Sequence, residues 1–240
     1  MEGTNLNQNI EISIIIPLYN REKSIERLLK KISEQEYDLQ KIEVIVSDDK
    51  STDQSLEIAK TYNQYIPNLV ILESTKNSGG ASVPRNKALE VAQGKWILFI
   101  DSDDYITTNA LKNAMNIAKN TNDDMICMPY FRDANSNRPI SRSAFCYKET
   151  KSNLKFENTK LYNTLNVIGK LIKRSIIEDY NIRFPEGIKV REDNWFLMQV
   201  YSVVNTITIL GYENDYYFYE TQDEVALTNS STPPRDAVKI

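Results

Sequence analysis

Asp101, Asp103 and Asp104 carry the most chemistry in this chain. They stand in the run Phe99-Ile100-Asp101-Ser102-Asp103-Asp104. The run continues the apolar stretch Trp96-Ile97-Leu98-Phe99-Ile100, a pattern that predicts a buried strand of a parallel sheet. Three carboxylates therefore fall just beyond the carboxyl end of a core strand, which is where open α/β sheets bind their ligands. Crowded carboxylates repel one another until a cation or a donor-rich ligand joins them, and magnesium and manganese favour such hard oxygen donors. The same run also reads as a solvated acidic turn that caps a helix starting near Thr107, and the motif alone leaves both readings open.

Three further clusters invite the same two-sided reading. Asp48-Asp49 closes another apolar run, where an acid can accept hydrogen bonds from a ribose or a base or can cap the helix after Ser51. Between Asn77 and Asn86, Gly79-Gly80 lets backbone approach a ligand, and Arg85 adds a fixed cation near a helix start. The plain alternative there is a glycine turn beside a surface arginine. Arg191-Glu192-Asp193 opens a helix, where acids ordinarily complement the helix dipole or cap it.

The elements that must position these groups alternate. Ile12 to Leu18 predicts a strand, with Asn20 as N-cap of a helix over about Lys23 to Glu36 whose Ile25, Leu28, Leu29 and Ile32 recur at helical spacing. Strands at Ile42 to Val46 and Leu69 to Leu72 bracket a helix running from Ser51-Thr52-Asp53 to about Tyr65. A helix over Val83 to Ala92 leads to the strand Trp96 to Ile100, then a helix near Ala110 to Lys119 and a strand at Met125 to Tyr130. Such alternation means right-handed crossovers and a mostly parallel sheet. The pattern changes after Phe131. Asp133 to Pro139 is a polar turn run, residues 140 to 165 follow no clear period, and Gly169 to Asp179 reads as a short strand entering a helix. Glu192 to Val203 reads as an amphipathic helix, and Ile207 to Leu210 and Asp215 to Tyr219 as late strands.

Composition narrows the class. The 240 residues are 41% hydrophobic and 26% charged, ordinary for one large globular domain with ample core. The net charge of -4 and pI near 5.2 argue against nucleic acid as the main partner. No apolar run approaches the roughly 18 residues of a membrane span, and Met1 to Asn9 lacks a signal-peptide core. Cys127 and Cys146 have no metal or redox spacing, which fits a reduced, cytoplasmic chain. There is no histidine. That excludes Ser-His-Asp and Cys-His sites and leaves Asp, Glu, Lys, Tyr or Cys as general base.

In order and spacing, these clusters resemble the family 2 glycosyltransferases of the GT-A fold. The resemblance rests on Ile14-Ile15-Ile16-Pro17-Leu18-Tyr19-Asn20, Val46-Ser47-Asp48-Asp49-Lys50-Ser51-Thr52-Asp53, Asn77-Ser78-Gly79-Gly80 through Pro84-Arg85-Asn86, Asp101-Ser102-Asp103-Asp104, and Gly169-Lys170-Leu171 ahead of Glu192-Asp193. Within the family, the run Ser78 to Asn86 looks most like the branch that adds N-acetylglucosamine to poly(ribitol phosphate) of wall teichoic acid.

The resemblance implies a Rossmann-like nucleotide-binding half and an acceptor half over residues 11–222, with a frayed 1–10 and a tail or linker at 223–240 that leads to a further C-terminal region. It implies an inverting, metal-dependent transfer of a sugar, with UDP-GlcNAc as the leading donor, onto a hydroxyl of a cell-surface polymer. Pro17, Tyr19 and Asp49 would line the base pocket. Asn77, Arg85, Asp101 and Ser102 would lie along the donor. Asp103 would hold Mn2+ or Mg2+ against the diphosphate, and Asp193 would be the general base. The implied partners are a nucleotide sugar and a glycan or polymer acceptor. Membrane contact would be peripheral at most, on the inner face, and a homo-oligomer would form through the further C-terminal region. One departure is the family's downstream histidine, absent from Glu224-Val225-Ala226-Leu227-Thr228. Transfer to a capsular polysaccharide is an alternative, as are a nucleotidyltransferase and a non-catalytic sugar-nucleotide-binding relative. Leu18-Tyr19-Asn20-Arg21 is not the glycine-rich phosphate loop that a nucleotidyltransferase would need.

Overall fold

The computed structural model describes residues 9–131, 146–211 and 217–218. The turn run 133–139, the segment 224–228 and the tail 223–240 therefore lie outside the described residues. In chain order the first half is β1 (Ile12–Leu18), α1 (Ile25–Ser33), β2 (Ile42–Asp48), α2 (Ser55–Thr61), β3 (Leu69–Glu73), α3 (Ser82–Val91) and β4 (Trp96–Phe99). There follow β5 (Tyr105–Ile106), α4 (Ala110–Asn120), β6 (Met125–Cys127), β7 (Tyr130–Phe131), β8 (Lys151–Leu154), β9 (Lys170–Lys173), α5 (Arg174–Asp179), α6 (Glu192–Val203), β10 (Ile207–Ile209) and β11 (Tyr217–Phe218).

Among the described residues eight strands form one sheet in the order β3-β2-β1-β4-β9-β6-β10-β8, and β5-β11-β7 form a second, small sheet. The isoleucine-rich β1 is buried at every position because strands lie on both its edges and helices on its faces. Its parallel register with β2 pairs Pro17 with Ser47 and Leu18 with Asp48, so Tyr19 and Asp49 leave the sheet side by side. The register with β4 pairs Ile15 with Phe99, which carries Asp101 out at the same edge. Gly94, at the other end of β4, is required by closeness: a Cβ there would sit 2.4 Å from the backbone nitrogen of Ser13.

Several sequence expectations change. The expected strand from Met125 to Tyr130 is two strands in different sheets, because Pro129 has no N–H to continue a ladder. The sheet is parallel through β3, β2, β1 and β4, but β9 enters between β4 and β6 antiparallel to both, and β8 pairs antiparallel with β10. α1 begins at Ile25 with Ser24 at the N-cap, not Asn20. Asn20 instead takes φ +50° and its Oδ1 accepts the Thr52 N–H at 2.8 Å, tying the β1 turn to the β2 turn. α2 is shorter than expected, and its last turn tightens to a 3₁₀ turn over Tyr62–Gln64. Among the described residues no helix is long and apolar enough to cross a membrane.

An aromatic layer supports the carboxyl edge of the sheet. Phe184 stacks on Phe196 of α6 at 4.0 Å between centroids, and Phe99 meets both rings edge-on at 5.1 and 5.4 Å. This packing binds α6 to the end of β4, so the acids at the start of α6 and those after β4 are held to one rigid floor.

Candidate active site

Arg85 is the centre of the site. It rises from the first turns of α3, is 2% exposed, and lies over the Phe184 ring at 5.0 Å. Its Nη2 donates to Asp101 Oδ1 at 2.7 Å, and its Nη1 to Asp193 Oδ1 at 2.7 Å and Glu192 Oε1 at 3.2 Å. One guanidinium thus gathers acids from the β4 turn and from α6, positions more than a hundred residues from it in one case. The next residue, Asn86, fixes the partner segment: its Nδ2 donates to the Phe184 carbonyl and its Oδ1 accepts the Phe184 N–H, both at 2.9 Å. Arg85 is therefore no surface arginine on a plain glycine turn.

Three carboxylates share one guanidinium at this point. Burial would lower the Arg85 pKa, but Asp193, Asp101 and Glu192 outweigh it and hold the cation above its ordinary value. Burial pushes the Asp193 carboxyl up, with Arg85 pulling it down and the Asp101 charge adding to the rise. Burial and the neighbouring Asp193 charge likewise push Glu192 up. Asp193 Oδ2 also accepts the Val167 N–H at 3.2 Å, so both its oxygens are held.

The entry to α6 is unusual. Arg191 occupies its N-cap position in the left-handed region, φ +69°, with no side-chain cap. For a non-glycine residue that conformation costs on the order of 1–2 kcal/mol, and such strain collects at functional sites. α6 is apolar on more than its inner face. Phe196, Leu197, Val200 and Tyr201 are buried, whereas Trp195 and Met198 are 61% and 50% exposed. Helical side chains lean toward the N-terminus of their helix, so Trp195 leans back toward the acidic end.

Asp49 holds the loop that leads to α3. Its Oδ2 accepts from the Ser78 N–H at 2.8 Å and the Ser78 hydroxyl at 2.9 Å, and its carbonyl accepts from Asn77 Nδ2 at 2.9 Å. Asp49 Oδ1 is buried with no hydrogen-bond partner, where most buried acceptors have one. Its neighbour Asp48 takes the plainer role, accepting the Ser51 N–H at 3.1 and 3.2 Å to cap the turn. Pro17 lies near the end of β1, and Tyr19, just beyond that strand, is 44% exposed. Gly79 takes φ +82° beside Asn77, whose Oδ1 accepts its N–H.

The Asp-x-Asp run divides its side chains. Asp101 faces Arg85, and Asp103 faces Arg21 with Oδ2 3.7 Å from Nε. Ser102 and Asp104 turn inward, and the Asp104 N–H donates to the Asp101 carbonyl. The N-cap of α4 is Asn109, so the acids after β4 do not cap it. Among the described residues no three His, Cys, Asp or Glu side chains form a ligand set for an ion. Asp103 is instead a single carboxylate beyond β4, with Arg21 beside it. Reading the sequence gave no role to Arg21 or to Lys170. A lysine inside the apolar run Gly169-Lys170-Leu171-Ile172 was the available signal for the latter.

With this geometry established, comparison with known proteins places the chain. It belongs to glycosyl transferase family 2, whose model matches residues 13–180. A poly(ribitol-phosphate) beta-glucosyltransferase of Bacillus spizizenii is 37% identical over 95% of this chain and 35% of its own length. The poly(ribitol-phosphate) beta-N-acetylglucosaminyltransferase TarS of Staphylococcus aureus is 33% identical over 96% of this chain and 39% of its own. The crystal structure of S. aureus TarS 1-349 in complex with UDP-GlcNAc superposes with a TM-score of 0.86 at 32% identity, covering 95% of this chain and 63% of that one. The chain thus spans little more than a third of the length of the curated relatives, and its fold is the GT-A fold expected from the sequence.

Proposed function

We propose that the chain is the donor-binding and catalytic domain of an inverting glycosyltransferase that moves N-acetylglucosamine from UDP-GlcNAc to a hydroxyl of poly(ribitol phosphate) in wall teichoic acid. The observation that carries this reading is the ion-pair cluster in which Arg85 joins Asp101, just after β4, to Glu192 and Asp193 at the start of α6. The likeness to TarS, a structure holding UDP-GlcNAc, supports the donor, and the names of two relatives support the acceptor. UDP-glucose is the second donor to test, because one of those relatives is a beta-glucosyltransferase.

In this account Asp49 accepts from the uracil imide through Oδ1, the oxygen left without a partner, while Ser78 holds Oδ2. Arg85 stands at the donor with its charge balanced by the surrounding acids. Asp103 would hold Mn2+ or Mg2+, and a divalent cation, typical of the family, offsets charge on the departing diphosphate when bound. Asp193, raised by burial and held at both oxygens, takes the proton of the acceptor hydroxyl as that oxygen attacks the anomeric carbon. The bond from that carbon to the diphosphate breaks with its electron pair on the leaving group, and a single displacement from the opposite face inverts the centre. Glu192 helps hold Arg85, and Trp195 offers an apolar face on the acceptor side.

Calorimetry tests the donor half. UDP-GlcNAc should bind wild-type protein with Mn2+, and chelator or Asp103→Ala should weaken binding at least tenfold, about 1.4 kcal/mol. Unchanged affinity under both treatments would remove the metal role from Asp103.

A further inference from the structure

Lys170 is fully buried on β9, where an ammonium loses its hydration and needs compensation from protein groups. Its Nζ donates to Asn166 Oδ1 at 3.2 Å and to the Ile168 carbonyl at 3.3 Å. Those two acceptors flank Val167, whose N–H donates to Asp193 Oδ2. The lysine and the carboxylate thus grip the same three-residue turn. The turn is pinned at both ends. Asn166 Nδ2 donates to the Tyr130 hydroxyl at 3.3 Å, and Gly169, at φ +64°, accepts the Met128 N–H through its carbonyl at 2.7 Å. A Cβ on Gly169 would fall 2.9 Å from the Met128 carbonyl oxygen, so this bend admits only glycine without a shift.

We propose that Lys170 is a positioning residue for Asp193: it fixes the 166–168 turn that holds the carboxylate, and its buried ammonium is the second cation, after Arg85, placed to act on that group. The inference rests on reading Asp193 as the general base. The charged groups around Asp193 are Arg85 from α3, Asp101 from the turn after β4, Glu192 beside it on α6, and Lys170 from β9. Around Lys170 stand Cys127 of β6, Cys146 and Asp193. Burial brings Lys170 down to about 8, so it is mainly charged at neutral pH, and burial drives the Cys127 thiol up to about 12, so that group stays neutral. The sign is then fixed. The Lys170 charge pulls the Asp193 carboxyl down against burial and the Asp101 charge, and neutralising Lys170 lets it rise.

The test is the pH profile of kcat, with donor affinity measured alongside, for wild type, Lys170→Met, Lys170→Gln, Lys170→Arg and Asp193→Asn. In Lys170→Met the acid limb, where the base ionises, should move up by on the order of one pH unit. Its plateau should fall about tenfold or more, while donor affinity stays within about twofold. Lys170→Gln keeps a donor for the turn but no charge, so its limb should move as well. Lys170→Arg keeps the charge, so its limb should stay near that of wild type. Should Lys170→Met melt below the assay temperature, the Gln and Arg variants decide. A limb that stays in place in Lys170→Gln, or moves equally in Lys170→Arg, overturns the proposal. A wild-type profile in Lys170→Met with an inactive Asp193→Asn overturns this inference alone. An Asp193→Asn enzyme of near-normal rate overturns the base reading and this inference with it.

Discussion

Replacing Arg85 by methionine removes the cation and keeps a side chain that can fill its slot. Arg85 holds three carboxylates, at 2.7, 2.7 and 3.2 Å, and is 3% exposed in its side chain. Removing one partner of a buried ion pair costs about 3–5 kcal/mol because charge is left uncompensated. The three acids retain 32%, 18% and 16% of their side-chain exposure, so water can reach them and the lower end applies. Losing the contact with the Phe184 ring adds up to about 1 kcal/mol. A total of about 3–4 kcal/mol predicts a fall in Tm of roughly 6–15 °C for a chain of this size. The pH dependence sharpens the test. Burial already pushes Glu192 and Asp193 up, and without the guanidinium they rise further, so the folded variant favours their neutral forms. Acidification then restores stability to the variant relative to wild type. Thermal melts followed by circular dichroism, near neutrality and at about pH 5, read this directly. A variant that melts with wild type at neutrality, or a deficit that is as large in acid, refutes the account of Arg85 as the charge that binds the cluster.

Asp49→Ala should leave the fold intact and reduce the preference for uridine over other nucleosides in a competition binding assay by about tenfold, the order expected for one charged hydrogen bond; full retention of that preference would deny Asp49 a role in base recognition. Glu11 tests the sheet edge away from the site. Burial would raise its carboxyl, but Tyr37, Lys119 and Lys41 outweigh that and hold it at about 2. A depressed carboxylate stabilises the fold above its ordinary value of 4.5 and loses that contribution as pH falls toward 2. Glu11→Gln should therefore lower stability to urea by about 2 kcal/mol at neutrality, discounted for the exposed lysines, and by nothing at the acid end; an equal loss at both ends would contradict the assignment.

The first half of the fold was legible in the sequence because its physics is local. Uninterrupted runs such as Ile12 to Leu18 and Trp96 to Phe99 have the composition of strands buried on both faces, and the acids after them mark the carboxyl edge. The register of β1 with β2 and β4 then brings Tyr19, Asp49 and Asp101 to one edge. What was not legible depends on long-range pairing. Nothing in Lys170-Leu171-Ile172-Lys173 says that this strand inserts antiparallel between β4 and β6, and β8 has too polar a sequence to declare itself. Asn20 has the residue type of an N-cap, yet it bridges two turns from a left-handed conformation. The partition of the acids was likewise hidden. Sequence could group Asp48 with Asp49, but only packing shows one capping a turn and the other keeping an unpartnered oxygen.

The most direct test of the central claim measures UDP released from UDP-GlcNAc with and without poly(ribitol phosphate), for wild type and Asp193→Asn, with donor affinity and Tm determined on the same samples. Removal of a general base costs about 100-fold to 10,000-fold in rate. Release by wild type should depend on acceptor, Asp193→Asn should lose rate by that factor, and donor affinity and Tm should stay near wild type. Near-normal transfer by Asp193→Asn, or loss of donor binding together with the rate, would contradict the placing of Asp193 as the base on the acceptor side.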